Sequence, residues 1–382
     1  MASVMQQVPT DAEKAAVWDA YRKRQPTRVP VVLSTNPRVA LADPASNPDG
    51  YTFEQAATDP LIHVKISLQH QLHRRTCLHH FTDDPTTLPD VWNVDLNVYN
   101  VYEAACLGAP IEYRAGQVPD THPIYAGDNR AALFAVDIEH PLESPFCRYY
   151  LDFWHEMEKI CKDYRFEGRP VKLQPWALCG TDGPVTVACN LIGSEFLMEL
   201  AAEPEEADRV LAFLTQASIN RRNAFYAYWG DRIGRGNGFA DDSVATLSTR
   251  MYTERILPHH RAWLAAGPNT PRGCHLCGDA TRHFPTIARE LGVTTFDTGF
   301  PVDHGGLRRE LGPEIELLGG PQVSLLLQGT PEQVFERTRG ILRSGVMAGG
   351  RFILREGNNL PPLCPPANLE AMYQACLVYG RY

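Results

Sequence analysis

The second half of this 382-residue chain repeats one pattern, a short β-prone run followed within a few residues by a helical one. Residues 273–277 read as a strand and 280–291 as a helix; 294–298 with 306–311, 315–319 with 331–344, and 351–354 with 366–379 repeat the pair. Strands that alternate with helices over short connections predict a parallel sheet covered on both faces. Several such units predict an α/β fold, a single (β/α)8 TIM barrel. No Gly-x-Gly-x-x-Gly follows the first strand, which disfavours a dinucleotide-binding sheet.

The first half fits the same plan with longer interruptions. Residues 11–24 carry a charged, amphipathic helical pattern, so 1–28 read as an N-terminal helical extension and 29–382 as the barrel, beginning with a buried strand at 29–33. A helix is expected over 52–80, where His63, His70, His73, His79 and His80 share no single face and read as structural. Pro, Asn and Asp residues between 85 and 135 predict an elaborated loop or hairpin, with a strand at 98–102. A helix at 152–164, a strand at 171–175, a turn at 180–184, two helices reaching about 229 and a strand at 238–242 complete it, before a helix capped near Ser248.

Composition narrows the function classes. With 36 Lys and Arg against 45 Asp and Glu, a net charge of -9 and no basic run, the chain is no candidate for nucleic-acid binding. No apolar stretch approaches the roughly 20 residues of a spanning helix, and Met1–Gln7 lacks the features of a secretory signal. A soluble, cytoplasmic protein that does not bind membranes is expected. Its ten scattered cysteines then read as reduced thiols.

In a barrel the active site gathers where strands end, at their C-terminal edges. Asp241, Asp242, His275, Cys277, Asp297 and the Glu356-Gly357-Asn358 turn all fall there. His275 and Cys277, separated by one residue, point the same way from a strand and form half of a zinc site. Zinc with an open coordination position activates a bound water or thiol.

These residues carry a family resemblance. Gly183-Pro184-Val185-Thr186, then Gly193-Ser194-Glu195, Ala240-Asp241-Asp242, Leu247-Ser248, Leu257-Pro258, the His275-to-Gly278 stretch and the Pro-rich 361–369 ending resemble, in order and spacing, the uroporphyrinogen decarboxylase superfamily. That superfamily includes zinc-dependent methyltransferases that act with corrinoid proteins. Its porphyrinogen decarboxylases bind substrate carboxylates with arginines after the first strand. Here that region keeps only Arg38, out of register, and the positions matching their substrate-binding aspartate and tyrosine hold Tyr99 and Asn190. A tetrapyrrole bearing eight carboxylates lacks its partners here.

The methyltransferase branch is similar at His275 and Cys277, which there bind zinc and hold a substrate thiol as thiolate. The cysteine that completes that site corresponds to Asn358. Cys364, Glu356 and the amide oxygen of Asn358 are the alternatives for the third ligand, with Cys364 the expected one. The resemblance implies methyl transfer between a corrinoid carried by a partner protein (methylcobalamin or a relative) and a thiol or similar small-molecule nucleophile; it also implies a homodimer.

Asp242 and Asp297 are the candidate catalytic carboxylates, with Asp242 favoured over Asp241 to face the mouth and Asp297 suited to orient His275. Arg38, Tyr99, Asn190 and Asn358 are the candidate substrate-binding residues. Cys274, on the opposite strand face, and Asp182, in a Gly-Thr-Asp-Gly turn, read as structural, and His283 as a helix-surface residue. Asp303 is a weaker candidate of the Asp297 kind, and Trp154 and Trp176 belong to a pocket wall or the core. Two other functions compete: a metal-independent lyase or decarboxylase acting on a small acid through Asp242 and Arg38, and a catalytically degenerate ligand-binding barrel.

Overall fold

The computed structural model describes residues 7–382. Residues 1–6, most of the stretch read for a signal, lie outside the described residues. In chain order the strands are β1 (Trp92–Val94), β2 (Ile111–Glu112), β3 (Asp120–Thr121), β4 (Arg165–Phe166) and β5 (Arg169–Leu173), then β6 (Asn237–Ala240), β7 (Arg272–Leu276), β8 (Val293–Thr298), β9 (Glu316–Gly319) and β10 (Phe352–Leu354).

β6 to β10 form one five-stranded sheet in sequence order, and every neighbouring pair is parallel. Helices Phe284–Leu291, His304–Leu311, Pro331–Ile341 and Pro366–Tyr379 carry the chain between strands and away from the last one, as the alternation predicts. Phe352, Ile353 and Leu354 of β10 are all buried, as expected of a strand covered on both faces.

A second parallel arc consists of β1 beside β5, with β4 antiparallel at its edge. One hydrogen bond, from Ala240 N to Thr181 O at 2.9 Å, joins the segment after β5 to β6. At the other end of the large sheet, Val31 makes an isolated parallel bridge to Leu354. Among the described residues no strand pairing joins Val31 to β1, so the expected closed ring is seen as parallel α/β arcs. The reason is local. Val32 N and Pro30 O bond to β10, which leaves Val31 N and Val31 O on the far side, and both bond to Asp83, through its Oδ2 and N respectively. The free edge needed for pairing with β1 is therefore occupied.

The expected helix at the N-terminus spans Asp11–Arg22 and opens with a reciprocal Thr10–Glu13 capping box. It is fastened to the rest of the chain. Its buried Lys14 donates to His79 O at 2.6 Å, Trp18 Nε1 to Asp83 O at 3.0 Å and Tyr21 Oη to Glu316 at 2.7 Å. The antiparallel β2–β3 pair supplies the hairpin expected between 85 and 135. The strand expected at 98–102 is instead a tight turn, Tyr99–Val101, followed by helix Tyr102–Cys106. Tyr99 takes φ 57°, and Asn97 Oδ1 accepts its N–H, so the backbone cannot continue extended. Three helices rather than two reach Trp229: Pro184–Ile192, Phe196–Ala202 and Pro204–Trp229. Among the described residues no single helix is long and apolar enough to cross a membrane, and the one bent pair that passes by composition turns through 112° with core residues such as Val185 and Leu191.

Asp83 is the buried knot between the two chain ends. It pairs with Arg28, accepts from Val31 N at 2.8 Å and from Tyr373 Oη at 2.9 Å, and is itself fully covered. Removing it strands the Arg28 guanidinium in the core. Asp83→Ala is expected to cost about 3–5 kcal/mol, read as a lower urea midpoint with an unchanged slope.

Candidate functional site

Parallel register lines up the site. Ala240 of β6 stands beside His275 of β7, His275 beside Asp297 of β8, and Asp297 beside Leu318 of β9. His275 and Asp297 therefore project abreast from one face of the sheet, near the C-terminal ends of their strands. His275 Nδ1 donates to Asp297 Oδ2 at 2.8 Å, which leaves Nε2 pointing onward. Cys277, two residues later, places Sγ 3.2 Å from that Nε2. The chain after β8 passes close behind it, and Gly299 is required there because a Cβ would meet Cys277 Cα at 2.6 Å.

Asp242 completes the group from the turn after β6. Its Oδ1 accepts Cys277 N at 2.7 Å and lies 4.0 Å from His275 Nε2. The ligand atoms of Asp242, His275 and Cys277 all lie within 4.8 Å of one another, and all three residues are half-buried. Imidazole nitrogen, thiolate sulfur and carboxylate oxygen are the three donor types that zinc takes. These residues fit a zinc ion with a position left open.

Neighbouring charges hold the group. Arg355, just past β10, donates Nη1 to Asp297 Oδ2 at 2.7 Å and Nη2 to Glu356 Oε1 at 3.1 Å. Glu356 Oε1 also accepts Ser34 N at 2.9 Å, so the loop after the Val31 bridge is tied to the same knot. Burial pushes the Glu356 carboxyl up to about 8, against the pull of Arg355. Burial also works against a charged His275, but hydrogen bonds with Asp297 and Cys277 outweigh it and raise its pKa to about 10. The Cys277 thiol is pushed up by burial.

Beside this group opens a cavity of about 620 Å³, and Asp242 belongs to both. Arg38, Tyr99 and Asn190 line it, three of the residues singled out from the sequence. Tyr99 is positioned by its left-handed turn and an edge contact with Phe53 at 5.5 Å. Asn359 lines the cavity where Asn358 was expected. Asn358 gives its backbone carbonyl to Arg355.

Cys364, the expected third ligand, is not brought to His275 and Cys277. Its Sγ donates to Leu326 O at 3.3 Å and it lines a separate pocket with His73 and Cys77, just before helix Pro366–Tyr379. Glu356 is turned instead toward Ser34 and Arg355. The group that the structure assembles has Asp242 as its third member.

The paired aspartates have different surroundings. Asp241 is fully buried and accepts Thr186 N and Thr186 Oγ1, each at 2.8 Å, at the start of helix Pro184–Ile192, with His260 Nε2 at 3.0 Å. Gly183, at φ 82°, makes room for it, since a Cβ there would sit 2.3 Å from Asp241 Cβ. Asp303 is exposed and caps helix His304–Leu311 through Gly306 N. Cys274, Trp154 and Trp176 are core residues. The surface placement of His283 is overturned: it is fully buried and its Nε2 donates to Val244 O at 3.0 Å, satisfying a carbonyl that would otherwise be lost in the core.

Two residues were missed. Asp182, read as a turn residue, lines the cavity. Burial, and then the like charges of Glu103 and Asp242, push its carboxyl up to about 7. Arg355 carried a signal, since it immediately precedes the Glu356 turn at a strand end. Asp182 carried none, because the buried Glu103 that approaches it is 79 residues away in sequence.

A family model described as uroporphyrinogen decarboxylase (URO-D) matches residues 170–379, more than half of the chain. The chain belongs to the uroporphyrinogen decarboxylase family. The segment matched to that decarboxylase model contains Asp242, His275, Cys277 and Asp297, and leaves out Arg38 and Tyr99. A methylated-thiol–coenzyme M methyltransferase of Methanosarcina mazei is 30% identical over 197 residues, 50% of this chain and 50% of the relative. The aligned part of this decarboxylase-family chain thus spans about half the length of that relative. The solved structure of a methyltransferase from Methanosarcina mazei covers 97% of this chain and 99% of its own, with a TM-score of 0.63 at 18% identity, a likeness of fold.

The raised Asp182 carboxyl makes a signed prediction. The folded protein keeps the proton after the unfolded chain has lost it, so this group lowers stability as pH rises from 3.8 to about 7 and by a constant amount above that. Asp182→Asn cannot ionise. It is expected to melt roughly 2–4 °C above the parent at pH 8 and level with it near pH 3, measured by circular dichroism across pH.

Proposed function

We propose that this chain is a zinc-dependent methyltransferase that moves a methyl group between a corrinoid carried by a partner protein and a thiol. The observation that supports this best is the convergence of His275 Nε2, Cys277 Sγ and an Asp242 oxygen at the wall of a substrate-sized cavity. The methyltransferase relative, similar over half of this chain, favours the same reading. We also read the two parallel arcs as parts of one (β/α)8 barrel whose strand ends share this mouth.

Zinc held by these three residues, with its fourth position open, would lower the pKa of a substrate thiol and keep it as the nucleophilic thiolate. The sulfur–methyl bond would form as the methyl–cobalt bond breaks, with the bonding pair left on the corrinoid. The chain's own residues prepare this. Asp297 holds the Nδ1 proton of His275, which fixes the tautomer with Nε2 as the ligand atom. Arg355 prevents Asp297 from turning away, and the Cys277 amide fixes Asp242 Oδ1. Arg38, Tyr99 and Asn190 would hold the substrate in the cavity. Asp242 serves as a ligand here, in place of the expected Cys364.

Metal analysis tests the assignment. Purified protein is expected to hold about one zinc per chain. His275→Ala, Cys277→Ala and Asp242→Ala each lose it, along with methyl transfer from methylcobalamin to a thiol. Cys364→Ala keeps both, and Asp297→Asn weakens zinc binding by roughly 10–100-fold. Metal-free protein whose activity survives the first three substitutions would instead favour a lyase.

A further inference from the structure

An arginine and an acid face the cavity, and among the described residues neither forms an ion pair; the Glu356 carboxyl that acts on Arg38 is held by Arg355. Among the described residues Arg38 forms no ion pair and its guanidinium makes no hydrogen bond; its Nε is buried without a partner. The Asp182 carboxylate likewise accepts no hydrogen bond and forms no ion pair. The carboxylates nearest Asp182 in effect, Glu103 and Asp242, repel it. Arg221, the cation on that side, is committed to Glu103 at 2.6 Å and to the Leu178 and Gly180 carbonyls.

Half-buried charges without partners are costly, and elsewhere this chain pairs buried charges, as at Arg28 with Asp83 and Arg355 with Asp297, or gives them backbone carbonyls, as at Arg222 and Arg308. A ligand that is only anionic would satisfy Arg38 and leave Asp182 desolvated beside Asp242. One that is only cationic would do the reverse. We propose that the substrate of this cavity is a small zwitterion, its anionic head on Arg38 and its protonated amine on Asp182. This rests on the methyl-transfer reading only for the remaining end, the sulfur, which extends toward Asp242, His275 and Cys277. A thiol of the α-amino-acid type has this arrangement of groups.

Calorimetric titration with three matched probes tests it: methionine, which carries both charges; 3-(methylthio)propanoate, which lacks the amine; and 3-(methylthio)propylamine, which lacks the carboxylate. Methionine is expected to bind the full chain at least about tenfold more tightly than either of the others. Asp182→Asn is expected to abolish its advantage over the propanoate, and Arg38→Met its advantage over the amine, with each variant's fold checked by circular dichroism. A merely structural role for either residue would weaken all three probes together and would overturn the proposal. So would equal binding of methionine and the propanoate to the parent protein, or no binding of methionine. Zinc content measured on the same samples separates the two readings: zinc retained with no zwitterion preference sinks this inference alone, and zwitterion preference without zinc sinks methyl transfer alone.

Discussion

The parallel register of β6, β7 and β8 is the constraint on which the rest of the site depends. Because Ala240, His275 and Asp297 stand abreast, the imidazole meets a carboxylate on the neighbouring strand, and the turn beyond β6 delivers Asp242 to the amide of Cys277. A slip of one residue in either pairing would turn His275 and Cys277 into the core and bring Cys274 to the mouth. Packing resists that slip, since Cys274, Leu276, Phe296 and Phe239 are buried on the faces opposite the site.

Around this row the chain organises charge in two ways. Structural charges are buried and paired: Asp83 with Arg28, Glu103 with Arg221, and Asp241 with a helix start and His260. Charges at the cavity are left incomplete. Among the described residues the Arg38 and Asp182 side chains form no ion pair, and Asp242, His275 and Cys277 bring their ligand atoms within 4.8 Å of one another. An arginine and an acid without ion pairs on one cavity wall, beside a His–Cys–Asp group, mark the site more clearly than any single residue does.

How much of this was legible follows from the range of the interactions. The strand–helix repeat, the strand ends and the His275–Cys277 spacing are local, and the observed elements fall close to where periodicity puts them. The strand read at 98–102 failed because one left-handed residue, Tyr99, is set by a contact that propensity does not see. His283 was misread, and the cavity position of Asp182 was not foreseen, for a related reason: burial is a property of what packs on a residue from elsewhere in the chain.

The third ligand shows the division most sharply. Sequence by itself determined the parallel α/β character, the family's motifs and the half-site, because a period of two along a strand places His275 and Cys277 on one face whatever surrounds them. Only the tertiary structure decided that Asp242 joins them and Cys364 does not, that Asp297 and Arg355 brace the histidine, and that Arg38 and Asp182 share a cavity. Those outcomes depend on which strands are neighbours and how far each loop reaches, and such distances exist only once the sheet has formed.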